Sequence, residues 1–148
     1  MPDLDHRLMT PPSLRISDER HTEGGDLVRV WDLRVAQPNV SHLAMPVVHS
    51  IEHFLGSRLR AASPAVVAFA PMGCQTGFYI VTIGPVEAGE LMELLARELA
   101  AIAGATEVPL ASNRQCGWAT NHSLTGAQDV AAWLLRHRDS WHQAGPED

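Results

Sequence analysis

The chain has 148 residues, 45% of them hydrophobic, and a formal net charge of −6. This length supports a domain with its own core, and the negative charge argues against a general nucleic-acid or anionic-membrane surface. All 11 basic residues are arginines, which excludes chemistry that needs a lysine Schiff base or a lysine general base.

The first half of the chain predicts a leader, a strand, a helix and another strand. Residues 1–25 are rich in proline, glycine and charge, which favours an irregular leader. Residues 27–36 alternate between apolar and polar side chains, as in a half-buried strand. Residues 46–62 have an apolar period near 3.6 and a proline in the first turn, which predicts a helix. Residues 66–71 are apolar and rich in valine, which predicts a second strand.

The second half adds one strand and two helices. Residues 76–84 predict a strand that follows a tight turn at 72–75. The strongest helical pattern covers 86–103, and another covers 126–142. Between them, residues 111–126 are turn-rich with room for a short strand, and the last six residues, 143–148, are expected to fray. Because the elements do not alternate as βαβ units, we predict a single compact α+β domain over 1–148, with a mostly antiparallel sheet packed against helices.

Two further features concern the compartment. The amino-terminal residues contain no apolar signal core, and no apolar run is long enough to cross a membrane. Cys74 and Cys116 do not form a CxxC pair, so both are expected to be free thiols of a cytoplasmic protein.

The string HSIEH at residues 49–53 is the main chemical signal. On a helix, His49 and His53 project from one face and can chelate a divalent ion, while Glu52 beside them can move protons. The alternative is a pair of polar residues on a solvated turn. The string also matches the HxxEH motif of zinc peptidases, although the chain is short for such an enzyme. The third ligand of a peptidase would come from the helix at 86–103, which offers Glu87, Glu90, Glu93 and Glu98.

A cysteine is the better third ligand. Two histidines and one cysteine leave a fourth position open, which suits a Lewis acid rather than a structural site. Both Cys74 and Cys116 qualify, so one can be the ligand and the other a catalytic thiol. The alternative for each is a buried, unreactive cysteine.

Five ordered segments together resemble the LuxS family of S-ribosylhomocysteine lyases. They are DHRLMTPPSLRI, VWDLRVAQPN, VVHSIEHFLGSRLR, APMGCQTGFYIVTIG and QCGWATNHSLTGAQDVA, and they run nearly from end to end. The resemblance implies a homodimer with active sites at the subunit interface and one divalent metal per subunit, Fe(II) by preference, with Zn or Co as other possibilities.

The resemblance also implies roles for individual residues. The metal ligands are His49, His53 and Cys116. The acid/base residues are Glu52 and Cys74. The residues that line the substrate pocket are His6, Arg34 and Arg60.

The implied reaction cleaves S-ribosylhomocysteine, a small sugar thioether, to homocysteine and 4,5-dihydroxy-2,3-pentanedione, the precursor of autoinducer 2 in quorum sensing. The sugar carbonyl migrates through enediolates, and homocysteine then leaves by β-elimination. These steps need a Lewis acid and two proton carriers, which the two histidines, two cysteines and one glutamate of the motifs would provide.

Several positions depart from the family pattern. Met1 stands where the family has a serine, Ala68 where it tends to have an aspartate, and Ala70 replaces a serine. Gln75 and Ala36 also differ. We therefore expect an intact metal and proton-transfer site with fewer hydrogen bonds to the sugar. The alternatives are a divergent isomerase or C–S lyase for another sugar or thioether, and a metal-binding module without catalysis.

Two groups of residues receive other interpretations. His122 lies in the loop that carries Cys116, where it supports the metal site or the dimer interface, or else is an exposed turn histidine. The tryptophans at 118, 133 and 141 are interpreted as core or interface residues rather than a platform for bases.

Overall fold

The computed structural model describes residues 4–142 and has the predicted α+β fold, with one sheet and three α-helices. Its sheet has four antiparallel strands in the order β1-β2-β4-β3. The strands are β1 (Ser13–His21), β2 (Leu27–Arg34), β3 (Val66–Pro71) and β4 (Gly77–Ile83). The helices are α1 (Met45–Ala62), α2 (Ala88–Ala103) and α3 (Leu124–Arg136). None of the helices in the described part combines the length and apolar character needed to cross a membrane.

The core lies between the sheet and the three helices. Helix α1 packs on β3 and on the other two helices, and α2 packs against α3. The largest fully buried side chains come from both layers and include Trp31, Phe78, Leu55, Leu95 and Trp141. This packing fixes α1 firmly, so that side chains on its remaining face have defined positions.

The prediction of an irregular leader over 1–25 is wrong for residues 13–21, which form β1. This strand pairs with β2 at the edge of the sheet, and most of its side chains are half-buried or exposed. Its charged residues are half-buried or exposed, and they interrupt the apolar alternation that marked the half-buried strand β2. Before it, residues 6–8 form a single 3₁₀ turn.

The predicted helix over 126–142 is too long at its carboxyl end. Helix α3 ends at Arg136, and a 3₁₀ turn follows at Arg138–Ser140. The turn brings Trp141 into the core, where its Nε1–H donates to the carbonyl of Leu134. The predicted tail at 143–148 lies outside the described residues.

The β3–β4 hairpin is closed by residues 72–76, as predicted, and Gly77 sets how closely it approaches β2. A Cβ atom at Gly77 would lie 2.6 Å from the carbonyl oxygen of Leu33. Only glycine permits this approach without displacing a backbone. The hairpin turn, which carries Cys74, is therefore held against the end of β2.

Candidate active site

Helix α1 brings two histidines to a cluster of four donor atoms. The donors belong to His49, His53, Cys116 and His122, and they all lie within 4.8 Å of one another. The first two are one turn apart on α1, which begins with Pro46 near its first position, as predicted. The other two lie on the loop before α3, where no strand forms between residues 104 and 123.

Hydrogen bonds at the outer nitrogens, the Nδ1 atoms, fix the orientation of the two histidine rings on α1. His49 Nδ1 lies 2.9 Å from the carbonyl oxygen of Asn121, and His53 Nδ1 lies 2.8 Å from that of Pro109. A carbonyl oxygen only accepts, so each Nδ1 carries the proton and donates. In the neutral form of each ring, Nε2 then carries the lone pair, as it does in histidines that bind a metal.

Cys116, the ligand implied by the resemblance, lies beside the two histidines of α1. Its Sγ lies 3.4 Å from His49 Nε2 and accepts a hydrogen bond from the backbone N–H of Trp118. A thiolate and neutral imidazoles are ligands of first-row divalent metals. The residues present therefore fit such an ion.

His122, whose role the sequence left open, lies inside the cluster. Its ring stacks on that of His49 with a centroid distance of 4.0 Å, and its Nε2 lies 3.5 Å from Cys116 Sγ. Its other nitrogen, Nδ1, lies 3.0 Å from the hydroxyl of Ser50 on α1. Burial lowers the pKa of His122 below its ordinary value, and the neighbouring His49 and His53 lower it further.

Glu52 lies next to the cluster without belonging to it. Together with His53 and Arg60 it lines a cleft of about 310 Å³ that extends to Ala68 on β3. Arg60 is exposed at the end of α1, and no ion-pair partner for it lies among residues 4–142. This cleft combines a carboxylate, an edge of the cluster and an available guanidinium.

The glutamates that a peptidase would need do not join the histidines. In the described part of the chain, the cluster consists of histidine and cysteine alone. Three of the four glutamates on or next to α2 pair with arginines instead: Glu87 with Arg29, Glu93 with Arg138, and Glu98 with Arg58. The site thus follows the cysteine-ligand interpretation.

Cys74 lies in the hairpin turn, exposed and hydrogen-bonded to the hydroxyl of Thr76 at 2.9 Å. Partial burial of the sulfur raises its pKa, but the hydrogen bonds from the Thr76 side chain and backbone and the charge of Arg34 lower it more. The net pKa of the thiol lies below its ordinary value. The thiolate therefore forms more readily here than at an ordinary cysteine, which suits an acid/base or nucleophilic role.

Arg34 lies behind this thiol and is committed to neighbours within the protein. Its guanidinium makes two hydrogen bonds to Asp32, of 3.1 and 2.6 Å, and donates to Thr76 Oγ1 at 2.8 Å. Both members of the Asp32–Arg34 pair are 3% exposed. Of the two arginines predicted to line the pocket, Arg34 therefore supports Cys74, and Arg60 is the one with a free guanidinium.

Sequence reasoning missed Asp32 and Thr76. The spacing of Asp32 and Arg34 was a signal, because residues i and i+2 of a strand point to the same face. Thr76 follows Cys74 at the same spacing, but in a turn this spacing does not fix which side chains meet.

Five of the eight predicted site residues line two separate clefts, and His49, Cys116 and Arg34 line neither of these two. His6 and Cys74 line one of about 400 Å³ together with residues of the 38–42 loop. It shares no lining residue with the cleft of Glu52 and His53.

Thr76→Val should raise the pKa of the Cys74 thiol, because valine keeps the shape of threonine but cannot donate to the sulfur. The alkylation rate of Cys74, followed by mass spectrometry as a function of pH, should therefore rise at a higher pH than in the wild type. Thr82→Val is the matched control, since Thr82 on β4 is also a buried threonine, but its hydroxyl bonds to Trp31. Equal pH profiles for Thr76→Val and the wild type would contradict the role of the hydroxyl.

Comparison with known proteins places these features in one family. Residues 2–145 match the family described as S-Ribosylhomocysteinase (LuxS). The S-ribosylhomocysteine lyase of Helicobacter acinonychis (strain Sheeba) is 41% identical over 143 residues, which cover 97% of this chain and 91% of that protein. The enzyme of the same name from Dichelobacter nodosus is 41% identical over 95% of this chain and 92% of its own length. That of Oceanobacillus iheyensis is 40% identical with the same coverage.

Proposed function

The chain belongs to the LuxS family of S-ribosylhomocysteinases, and from this premise we propose that it is a metal-dependent carbon–sulfur lyase. It converts S-ribosylhomocysteine to homocysteine and 4,5-dihydroxy-2,3-pentanedione. The observation that carries the proposal is the convergence of His49, His53 and Cys116 beside Glu52, with the outer nitrogens of both histidines bonded to carbonyls. This arrangement suits enolisation chemistry better than a peptidase or a passive metal store.

The proposed activity requires one divalent metal ion per subunit. When bound, it would supply a Lewis acid that polarises the sugar carbonyl. His49, His53 and Cys116 would hold it. Fe(II) is our preferred ion, although this donor set also accepts Zn or Co, and availability decides among them.

Glu52 and Cys74 are the two proton carriers. The carbonyl moves from the first carbon of the open sugar to the third in two similar steps. In each step a base removes the proton from the carbon next to the carbonyl, and a proton is then added to the former carbonyl carbon. Removal of the proton at the fourth carbon then expels homocysteine from the fifth. The lowered pKa of the Cys74 thiol supports its action as a base near neutral pH. Glu52 carries protons on the side of the substrate that faces the metal cluster, because it lines the same cleft as His53.

Arg60 and His6 bind the substrate. A guanidinium can hold a carboxylate through two parallel hydrogen bonds, and the exposed Arg60 has its guanidinium available for the homocysteine carboxylate. His6 lies in the cleft of Cys74. Ala68 lines the cleft of Glu52 without offering a hydrogen bond, so the sugar hydroxyls are held by fewer contacts there.

A homodimer with shared active sites is part of the proposal. Cys74 lines one cleft and His53 of the metal cluster lines another, and these two clefts have no residue in common within one chain. A second copy could join the Cys74 cleft of one subunit to the metal cleft of the other. A cytoplasmic location is also proposed, because both cysteines are free thiols, which a reducing compartment preserves.

The test is release of free thiol from S-ribosylhomocysteine by protein purified without oxygen and loaded with Fe(II) or Co(II). We expect thiol release that is lost on removal of the metal and lost in Cys74→Ala. The Cys74→Ala protein should bind the same amount of metal as the wild type, since Cys74 lies outside the cluster. A metal-loaded wild type that releases no thiol would contradict the proposal.

A further inference from the structure

We propose that Gln75 is a positioning residue that holds the catalytic thiol of Cys74 at a fixed distance from residues 38–42, which line the same cleft. This role rests on the proposed function, in which the Cys74 thiol moves protons on a bound substrate. Gln75 stands between two residues that line the cleft, Cys74 and Thr76, but its own side chain points to Leu43 instead.

Two hydrogen bonds join Gln75 to Leu43. The Gln75 side chain donates from Nε2 to the carbonyl oxygen of Leu43 at 2.7 Å, and the backbone N–H of Leu43 donates to the carbonyl oxygen of Gln75 at 3.0 Å. Leu43 is half-buried and packs against the hydrophobic core. The hairpin turn that carries Cys74 is therefore attached to a backbone segment that is itself anchored in the core.

The lining residues 38–42 are attached to the hairpin turn at both ends. Before them in the chain, the backbone N–H groups of Val35 and Ala36 donate to the carbonyl oxygen of Thr76 at 2.8 and 3.1 Å. After them comes the contact that Gln75 makes through its side chain and carbonyl. Because the lining segment is short, these two attachments set its distance from the thiol.

The backbone conformation of Gln75 indicates that its side chain serves a purpose. Its φ is 63°, in the left-handed region where a side chain costs conformational energy and glycine is the usual residue. The same turn contains a glycine, Gly73, but at a position where φ is not positive. The strained position thus carries the side chain that reaches Leu43, a pattern typical of residues under functional constraint.

The contact controls where the thiol lies rather than how acidic it is. Proton transfer requires the sulfur to lie within reach of one particular hydrogen of the bound sugar. The Thr76 hydroxyl and the charge of Arg34 favour the thiolate, whereas Gln75 bonds to Leu43 and Met72. Loss of the Gln75 side chain should therefore displace the thiol without changing its pKa.

The alternative is a purely structural role, in which the bond to Leu43 stabilises the fold and has no effect on the thiol. Gln128 on α3 makes the same kind of contact, from its Nε2 to the carbonyl oxygens of Ile102 and Ala105 at 3.2 and 3.0 Å. It is half-buried, as Gln75 is, and lines neither the cleft of Cys74 nor that of Glu52. Gln128→Ala is therefore the matched control for loss of a bond from glutamine to a carbonyl.

The first test is thiol release from S-ribosylhomocysteine by metal-loaded Gln75→Gly and Gln75→Asn. Both new residues suit a left-handed backbone, so the fold should be kept, but neither reaches Leu43. We expect kcat to fall about 10- to 100-fold in both, because a displacement of about 1 Å can cost about 10²-fold. The change in KM should be smaller, and Gln128→Ala should turn over as the wild type does. Wild-type kcat in both Gln75 variants would overturn the inference.

The width of the cleft gives a second readout, which does not depend on turnover. Cys74 is alkylated with a small reagent, iodoacetamide, and with a bulky one, N-phenylmaleimide, and modification of its peptide is followed by mass spectrometry. Both reagents attack the same thiolate, so the ratio of the two rates cancels the effect of its pKa. We expect this ratio to rise in Gln75→Gly and Gln75→Asn and to keep the wild-type value in Gln128→Ala.

The two readouts separate failure of the positioning role from failure of the proposed function. An unchanged ratio of alkylation rates would overturn the role of Gln75 even where kcat falls, since the loss of activity would then be structural. A midpoint of alkylation against pH that moved in Gln75→Gly would also overturn it, because the residue would then act on the pKa of the thiol. A metal-loaded wild type that releases no thiol would contradict the proposed function and, with it, a positioning role in that reaction.

Discussion

Glu52→Gln should lower the rate of thiol release from S-ribosylhomocysteine by about 10²- to 10⁴-fold, the range for loss of a general acid or base. Glutamine has the size of glutamate but cannot take up a proton at neutral pH. Because Glu52 lies outside the four-donor cluster, its replacement leaves the ligands in place. The variant should therefore bind metal at the wild-type ratio while turning over slowly, which separates proton transfer from metal binding.

The measurement is the turnover number of metal-loaded protein together with its metal content. Glu90→Gln is the matched control, since Glu90 is an exposed carboxylate on α2 that lines a different cleft. Its activity should equal that of the wild type, whereas a peptidase with a ligand at Glu90 would lose activity. A Glu52→Gln protein with wild-type turnover would contradict the role of Glu52 as a proton carrier.

The sequence was sufficient for elements whose faces differ clearly in polarity. Helix α1 and strands β2 to β4 were predicted with nearly the observed bounds, because each has either a clear apolar period or a short run of β-branched and aromatic residues. Strand β1 was missed because it is an edge strand with Asp18, Glu19 and Arg20 in succession, and its pairing with β2 is a tertiary effect. The end of α3 was missed for a similar reason, since burial of Trp141 redirects the chain.

The candidate site also has one part that the sequence predicts and another part that depends on long-range packing. The pairing of His49 with His53 follows from the period of a helix, so it could be read from local spacing. Cys116 and His122 reach these residues across about 70 positions of the chain, and the bonds from Ser50 and Asn121 hold that contact. The resemblance to a family indicated Cys116 as a ligand. Only the packed structure shows that His122 lies within the same cluster.

The ion pair behind Cys74 is expected to be the most sensitive polar contact for stability. Asp32→Ala should lower the free energy of unfolding by about 3–5 kcal/mol, because it leaves the Arg34 guanidinium buried without its carboxylate. Chemical denaturation followed by circular dichroism measures this change. Asp18→Ala is the matched control, since Asp18 and Arg20 form an ion pair with the same i,i+2 spacing on the exposed face of β1. It should leave stability nearly unchanged.

A double variant separates the cost of an unpaired charge from the value of the pair. Asp32→Ala with Arg34→Met removes both charges, so most of the lost stability should return, because apolar residues often replace a buried ion pair without cost. The double variant should nevertheless raise the pKa of the Cys74 thiol, since the positive charge that favours the thiolate is gone. If Asp32→Ala were as stable as the wild type, the pair would contribute nothing to the fold. If the double variant kept the wild-type thiol pKa, Arg34 would not support Cys74. Stability restored together with a raised thiol pKa would show that Arg34 is retained at the end of β2 for the reactivity of Cys74 rather than for folding.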